Sequence, residues 1–415
     1  MSRQFQKLDL SFVDSIVHTA VHAYPGQGQS EAHQQHIKEW ATNSIVNWPW
    51  QDLFGIVEEG ELLASLCLFT MDFNVRGCIL TAGGIGSVQT ALLHRKRGVA
   101  YDMIQSALRH YRAHGVSLVT LYPFRAGFYR KMGFGYGAEV RQYQVSPKDF
   151  PHGETAGSVR ELTGTNADRQ ATIDCYDEFF RRTHGMSARL DRSLGDVFAP
   201  DKVVMGYEEE GVLKGYLVLA FVCQHALKSD LKLVELVHHT PDALKAFSAF
   251  LHRQMDQFEK IIIETQDDTL QFMLEDIARH TYDTFASRYV ETCSIGLGLM
   301  YRVVDVAGMF RAVENQPFDV TDVTLKLDIL DDFLPENSGT TIVKFENGRA
   351  MLVSDGPWDV EVSMDVASFS SLWMGAVDLR SLLRLGLATV SALDWVPVLQ
   401  RLFRTDTKPM CWGHF

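Results

Sequence analysis

The sequence lacks the features that mark membrane, secreted and metal-binding proteins. No stretch approaches the ~18 uninterrupted apolar residues that a membrane-spanning helix needs, and residues 1–10 carry Gln, Lys and Asp in place of an apolar signal segment. The six cysteines show no CxxC spacing, which argues against zinc motifs and indicates buried free thiols in a reducing compartment. We therefore predict a cytoplasmic protein with no membrane partner and no bound metal.

Basic residues are also scarce. The chain has 39 Lys and Arg against 52 Asp and Glu, which gives a formal net charge of −13 over 415 residues. A negatively charged protein repels a phosphate backbone, so we expect no nucleic-acid partner, whereas a cationic substrate is compatible with this charge. Apolar types make up 46% and charged types 22%, as in an ordinary folded protein. At ~150 residues per domain, the length favours two or three domains.

The chain falls into three stretches, which predict an α+β protein of mixed α/β type with domains at 1–150, 151–295 and 296–415. The segment 147–157 is rich in Pro, Gly and polar residues, which is typical of a linker. The last stretch alternates strand-like segments with segments of helical spacing, as a small α+β domain does.

The first two stretches share an order of elements. In the first, 54–69 is typical of two strands joined by a Glu-Gly turn, and 99–114 has the spacing of a helix that ends at Gly115. In the second, 203–220 again predicts strand, acidic-glycine turn and strand, and 241–258 predicts an amphipathic helix. A diverged duplicate explains this order, although any mixed α/β domain can show it. The second stretch lacks the basic, glycine-containing turn of the first.

That turn is the most informative segment of the chain. Arg95, Lys96 and Arg97 precede Gly98, and a helix begins at Val99. The free N–H groups and the dipole of a helix start form an anion site, glycine lets a phosphate approach the backbone, and the basic side chains add charge. Because neither GK[ST] nor GxGxxG is present, the turn favours another diphosphate-bearing cofactor over a nucleoside triphosphate or a dinucleotide. The alternative is a solvated cationic loop.

Two motifs carry a resemblance to a known family. Val88-Gln-Thr90 followed by His94-Arg-Lys-Arg-Gly-Val-Ala100 resembles the acetyl-CoA-binding motif of the GNAT acetyltransferases, with Thr90 replacing an aliphatic residue and Ala100 replacing a glycine. The Phe-Tyr-Arg-Lys-Met-Gly-Phe run within 121–134 resembles the second GNAT signature. The layout as a whole resembles the Eis (enhanced intracellular survival) type, which has an active GNAT domain, a degenerate GNAT domain and a C-terminal sterol-carrier-protein-like domain.

The resemblance implies acetyl-CoA as the cosubstrate, without a metal, and direct transfer of the acetyl group to a primary amine. In this family the two strand amides at positions 88 and 90 hold the thioester end and the pantetheine arm, and the turn holds the pyrophosphate. The implied cofactor-binding residues are Val88, Gln89, Thr90, Arg95, Lys96, Arg97, Gly98, Val99 and Ala100.

The resemblance also implies the catalytic groups. Tyr129 is the proton donor to the departing thiolate, and the terminal carboxylate of Phe415 is the base that takes a proton from the amine. Trp412 and Phe415 offer aromatic anchors that could bury the terminus, and burial raises the pKa of a carboxylate. His414 is a rival base, because an imidazole titrates near pH ~6.5. The structural alternatives are a packed aromatic at position 129 and a disordered tail.

The implied acceptor is a polycationic small molecule with primary amines, such as an aminoglycoside or a polyamine. Glu31, Trp40 and His414 are the candidate substrate residues, and Trp48 and Trp50 lie in the same part of the chain as the first two. The family is often hexameric, so we expect a homo-oligomer. Two other functions stay open: a non-catalytic module that binds acyl-CoA or lipid, and an acetyltransferase acting on protein lysines.

Overall fold

The structure is a computed structural model that describes residues 3–153, 157–190, 195–225, 228–278, 290–319 and 322–413. The chain divides into two compact units. The first contains the described residues up to 137 together with 299–406, and the second contains those of 138–298 together with 407–413. No described helix is long and apolar enough to cross a bilayer. His414 and Phe415, two of the predicted site residues, lie outside the described residues.

The elements are numbered in chain order. The strands are β1 (Gln4–Lys7), β2 (Gln51–Glu58), β3 (Glu61–Val75), β4 (Cys78–Thr90), β5 (Leu118–Leu121), β6 (Gly135–Tyr136), β7 (Glu139–Val145), β8 (Ser158–Glu161), β9 (Lys202–Glu209), β10 (Val212–His225), β11 (Lys228–His238), β12 (Ile261–Thr265), β13 (Cys293–Leu297), β14 (Met300–Val303), β15 (Val323–Leu330), β16 (Gly339–Glu346), β17 (Arg349–Val353), β18 (Val360–Asp365) and β19 (Ala388–Val390). The helices are α1 (Val13–Ala23), α2 (Glu31–Val46), α3 (Val99–Ala113), α4 (Ala126–Arg130), α5 (Asn166–Arg182), α6 (Pro241–His252), α7 (Val306–Ala312), α8 (Val366–Trp373), α9 (Leu379–Arg384) and α10 (Val396–Phe403).

The first unit contains a seven-stranded sheet in the order β1-β2-β3-β4-β5-β14-β6. Among its described strands only β4 and β5 run parallel, and they are joined by α3, whose apolar face packs on the sheet. Gly83 makes room for this packing, because a Cβ there would lie 2.6 Å from the Tyr111 ring. The Tyr111 hydroxyl lies 2.8 Å from the Phe69 carbonyl oxygen and 2.7 Å from that of Gly84. Tyr111 therefore fixes α3 on the strands that carry the candidate site.

The same unit contains a five-stranded sheet in the order β17-β16-β15-β18-β19, in which β15 and β18 run parallel. Helix α8 is buried along its whole length. Together with α7, α9 and α10, this sheet forms the small α+β fold that the alternating pattern of the third stretch predicts.

A buried ion pair joins the two sheets of the first unit. Arg302 on β14 and Asp331, just after β15, have no exposed side-chain surface, and Arg302 Nη2 lies 2.7 Å from both carboxylate oxygens. Arg302 Nε donates to the Met132 carbonyl at 3.0 Å, and Asp331 also accepts from the Leu334 N–H and the Asn337 amide. Every oxygen and most N–H groups of the pair are thus engaged, which offsets the cost of burying two charges.

The second unit repeats the topology of the first sheet. Its seven strands lie in the order β8-β9-β10-β11-β12-β7-β13, and β11 and β12 form its parallel pair, joined by α6. Strand β7 belongs to this second sheet although it lies within the predicted domain 1–150, and β14 belongs to the first sheet although it lies within the predicted domain 296–415. The sheets therefore cross the predicted boundaries, because local patterns identify a strand but not its partner.

Replacement of Asp331 by Asn leaves the Arg302 guanidinium buried without a counter-charge. We expect this change to lower the free energy of unfolding by about 3 kcal/mol, measured by urea denaturation. The control is Lys38→Gln, which removes an exposed partner of Asp14 and is expected to cost less than about 1 kcal/mol. Equal losses in the two variants would contradict the structural role of the buried pair.

Candidate functional site

The candidate site begins where β4 and β5 part. Their parallel pairing ends at Ile85, whereas β4 continues to Thr90. After Gly86, which still pairs with Cys67, a bulge inserts one extra residue into β4 against β3, and Ser87 has a φ of +49°. Bulges bend a strand and redirect its groups. Beyond Ile85 no described strand pairs with β4 on the side of β5, so an open strand edge faces this gap.

The open edge presents the backbone N–H groups of Val88 and Thr90. The N–H of Ala91 donates to the Leu63 carbonyl on β3 at 2.9 Å. Because peptide directions alternate along a strand, the N–H groups of Thr90 and Val88 point to the opposite side, into the gap. On the same edge the Val88 carbonyl accepts a hydrogen bond from the Tyr24 hydroxyl at 2.6 Å. This edge can therefore bind an extended ligand that carries amide groups.

The turn after β4 prepares a second set of N–H groups. Lys96 and Gly98 have φ values of +63° and +77°, and α3 begins at the next residue. The first intrahelical bond runs from the Asp102 N–H to the Gly98 carbonyl at 3.0 Å. The N–H groups of 99–101 therefore have no acceptor within the helix and form, with the helix dipole, a site for an anion.

Arg3 neutralises the Asp102 carboxylate, whose negative charge would oppose an anion at this site. Asp102 lies in the first turn of α3, and Arg3 Nη1 donates to its carboxylate at 2.7 Å. The same nitrogen lies 3.2 Å from the Arg97 carbonyl oxygen, which holds the turn. Sequence analysis missed Arg3, because its two partners lie about a hundred positions further along the chain.

The edge and the turn face one cleft of about 500 Å³. Every predicted cofactor residue except Arg97 lines it, so the structure brings these residues to one cleft. The lining residues are Ala23, Tyr24, Val88, Gln89, Thr90, His94, Arg95, Lys96, Gly98, Val99, Ala100, Tyr101, Phe124, Arg125 and Phe128.

Tyr129 lies on α4 beside this cleft and is 2% exposed. The rings of Phe124, Phe128 and Phe134 pack edge-on or tilted around it, with centroids 5.1 to 5.8 Å from its own. Its hydroxyl has no hydrogen-bond partner among the residues that the structure describes. Burial, and secondarily the neighbouring Tyr24, raises the pKa of Tyr129, so its phenol stays protonated and can donate a proton.

Sequence analysis did not select Tyr24. It follows α1, lines the cleft, and donates to Val88 on the open edge. Burial raises the pKa of Tyr24 to about 12, so this donor also stays protonated at neutral pH. Its sequence context, a tyrosine before Pro-Gly, is typical of an ordinary helix end.

The predicted substrate residues lie elsewhere. Glu31 begins α2 and lines a separate polar groove of about 630 Å³ between α1 and α2, along with Asp14 and His22. Trp40 lies further along α2 and does not line the 500 Å³ cleft. One hydrogen bond joins the two linings: Arg95 of the cleft donates to the carbonyl of His22, which lines the groove, at 2.9 Å. His414, the third candidate, is outside the described chain.

Three matches to known families follow one another along the chain. Residues 5–137 match the family described as Acetyltransferase (GNAT) domain, and 181–302 match a second family of the same description. Residues 309–412 match the family described as Sterol carrier protein domain.

Comparison with individual proteins gives the same arrangement. N-acetyltransferase Eis of Mycobacterium tuberculosis is 23% identical over 316 residues, which cover 72% of each chain. The structure of Eis1 from Mycobacterium abscessus superposes over the full length of both chains with a TM-score of 0.77 at 18% identity, and a GCN5-related N-acetyltransferase from Anabaena variabilis superposes with 0.82 at 16%. At such identities the superpositions show the fold alone. The chain thus carries two GNAT acetyltransferase domains and a sterol carrier protein domain, in an Eis-like arrangement.

GNAT domains use acetyl-CoA, and the cleft fits this cosubstrate. The open edge offers N–H groups to an amide-bearing arm, and the turn offers N–H groups to a diphosphate. An ideal Cβ at Gly98 would meet no described atom within 4 Å, so the space above the turn is clear. Arg95 and Lys96 add positive charge at the same place.

Gly98→Ala tests the anion site against a matched control. Both Gly98 and Gly115 have left-handed φ (+77° and +76°), flank α3 and face open space, so alanine strains the backbone equally at each by about 1 kcal/mol. We expect Gly98→Ala alone to weaken CoA binding, by tenfold or more in titration calorimetry, because only its methyl group stands over the turn. Equal CoA affinities of the two variants would contradict the assignment.

Proposed function

We propose that the first domain transfers the acetyl group of acetyl-CoA to a primary amine of a small polycationic molecule, such as an aminoglycoside or a polyamine. The observation that carries this proposal is the meeting, in one cleft, of the open β4 edge and the left-handed turn at Gly98. The buried Tyr129 follows Phe128 of the cleft lining directly in the chain. Acetyl-CoA supplies the activated acyl group, and the chain supplies orientation and proton transfer.

Each group of the site has a separate task. The N–H groups of Val88 and Thr90 hold the acyl end and its amide arm, and the turn around Gly98 holds the diphosphate. Tyr129 supplies a proton to the departing sulfur, because its raised pKa keeps the phenol protonated at neutral pH. The support for the base comes from the Eis-type resemblance, which assigns this role to the terminal carboxylate of Phe415, with His414 as the rival.

The acceptor is proposed on charge and resemblance. The chain carries a net charge of −13, which favours a cationic acceptor over an anionic one. Glu31, which lines the groove between α1 and α2, remains the proposed carboxylate, and Trp40, further along α2, remains the proposed aromatic wall. A homo-oligomer, hexameric as in the family, and a cytoplasmic site of action remain part of this proposal.

Thiol release from acetyl-CoA tests the function. The amine panel contains aminoglycosides, spermidine-like polyamines, simple monoamines and lysine-containing peptides. We expect turnover with the polycationic small molecules and little with peptides, because the Eis-type resemblance implies a small-molecule acceptor. Turnover confined to lysine peptides would identify a protein-lysine acetyltransferase and would contradict the proposed acceptor.

Tyr129→Phe removes the proposed proton donor without emptying the packed site. We expect kcat to fall by about 10²-fold, the lower range for general acid catalysis, with the Kd of CoA unchanged in titration calorimetry. The control is Tyr136→Phe, which removes a phenol that is 46% exposed on β6. A Tyr129→Phe enzyme with the parent kcat would show that this tyrosine is only a packed aromatic.

A further inference from the structure

The loop between β15 and β16 packs against α3, the helix whose start forms the anion site. Phe333 of this loop (residues 331–338) is buried in the same apolar cluster as Val99 and Met103 of α3. Gln105 Nε2 on α3 donates to the Phe333 carbonyl at 2.6 Å. The loop belongs to the part of the chain that matches the sterol carrier protein domain. That domain therefore contributes to the surroundings of the cofactor cleft.

Two bonds fix the loop near its two ends. Asp331 at its start is half of the buried ion pair with Arg302 on β14. Near its end the Glu336 carboxylate accepts from Arg109 Nε on α3 at 2.7 Å. Because one bond runs to the first sheet and the other to the helix that packs on this sheet, Phe333 keeps a fixed position beside α3.

Phe333 supports the ring of Tyr101, which lies in the first turn of α3. The two ring centroids are 4.5 Å apart and the ring planes make an angle of 82°, an edge-to-face contact that aromatic pairs favour. Tyr101 also lines the cofactor cleft and is 44% exposed, whereas Phe333 is 2% exposed. A buried aromatic thus holds an exposed one in place, so the Tyr101 ring offers a flat surface to a ligand at little cost in side-chain entropy.

The position of Tyr101 beside the anion site indicates which ligand group this ring meets. Its own N–H is one of the three at the start of α3 that have no acceptor within the helix, so a diphosphate bound there lies next to Tyr101. In CoA one end of the diphosphate carries the pantetheine arm, which we assign to the β4 edge. The other end carries a ribose and the adenine base. A single sugar therefore separates the base from the anion site.

Phe124 is a second exposed aromatic that lines the cleft, but its ring belongs to a different group of side chains. It is 69% exposed and packs on Phe128 and Tyr129, with ring centroids 5.8 and 5.7 Å away. This group surrounds the phenol that we assign to the departing sulfur, at the opposite end of CoA from the base. The placement therefore favours Tyr101 over Phe124 as the residue that meets adenine.

We propose that Tyr101 binds the adenine base of CoA by stacking, and that Phe333 of the sterol carrier protein domain is a positioning residue that holds the Tyr101 ring for it. The proposal rests on the proposed use of this cleft for acetyl-CoA. Stacking of a base on an aromatic side chain is a general mode of nucleotide binding, because every base has a π-face. The third domain thereby serves the cofactor site through α3, a task that requires no lipid ligand.

Titration calorimetry with CoA and with 4′-phosphopantetheine tests the base contact, because the second ligand has the arm and one phosphate but no adenosine. We expect Tyr101→Ala to raise the Kd of CoA about tenfold, within the range for loss of one stacked base, and to leave the Kd of phosphopantetheine within twofold. Tyr101→Phe, which keeps the ring, is expected to bind CoA within twofold of the parent. The control is Tyr136→Ala, which removes a tyrosine of similar exposure, 46%, on β6 and is expected to change neither Kd.

Phe333→Leu tests the positioning role, because it keeps an apolar side chain in the core and removes the ring that supports Tyr101. We expect the Kd of CoA to rise about threefold in the parent background, and not to rise further in the Tyr101→Ala background, where the supported ring is absent. The control is Phe310→Leu, which changes an equally buried phenylalanine of the same domain that packs on Phe345 and Trp373. It is expected to leave both affinities unchanged.

Each part of the proposal has an outcome that would overturn it. An unchanged Kd of CoA in Tyr101→Ala would overturn the base contact, and a loss confined to Phe124→Ala would assign the base to Phe124 instead. Equal effects of Phe333→Leu in both backgrounds would overturn the positioning role. A parent that binds CoA and phosphopantetheine with equal affinity would overturn only this inference, whereas a parent that binds neither would contradict the proposed function as well.

Discussion

The constraint on which the rest of the molecule depends is the end of a parallel strand pairing before one of the two strands ends, as at β4 and β5. A strand that outruns its neighbour exposes backbone donors and acceptors, and these need partners. In the first sheet Tyr24 binds the Val88 carbonyl, and the remaining N–H groups face the cleft. In the second sheet, where β11 continues past its last pairing with β12, Met410 and Trp412 of the tail line the cavity, and the Cys411 N–H donates to Gln266. The helix starts beside the two gaps also differ: α3 follows a left-handed Gly98, whereas α6 begins with Pro241, which has no N–H group.

The surroundings hold the first gap open. Tyr111 fits over Gly83 and reaches two backbone carbonyls, so α3 and its N-terminus keep a fixed place relative to β4. On the other side of β5 lies β14, which Arg302 ties to Asp331 beneath the five-stranded sheet. Because these contacts hold the N–H groups of β4 and α3 in fixed positions, the groups reorganise little when a ligand binds. Such preorganisation favours a transfer reaction.

Sequence reasoning predicted the parts of this arrangement that are encoded locally. The α3 spacing, its end at Gly115 and the turn around Gly98 follow from neighbouring residues, and the structure has a helix at Val99–Ala113 between two left-handed glycines. It did not predict that β7 joins the second sheet, that β14 joins the first, or that Arg3 pairs with Asp102. Those depend on contacts between residues far apart in the chain, which no local pattern records. The roles of Glu31 and Trp40 stay predictions for the same reason.

The most direct measurement is a crystal structure of the protein grown with CoA. The account predicts one molecule per chain, with its diphosphate within hydrogen-bond distance of the N–H groups that follow Gly98 and its pantetheine amides on the open edge of β4. It also predicts that the parting of β11 and β12 keeps the tail and takes no CoA. A CoA molecule bound at that second parting, or a first cleft that stays empty at saturating CoA, would contradict it.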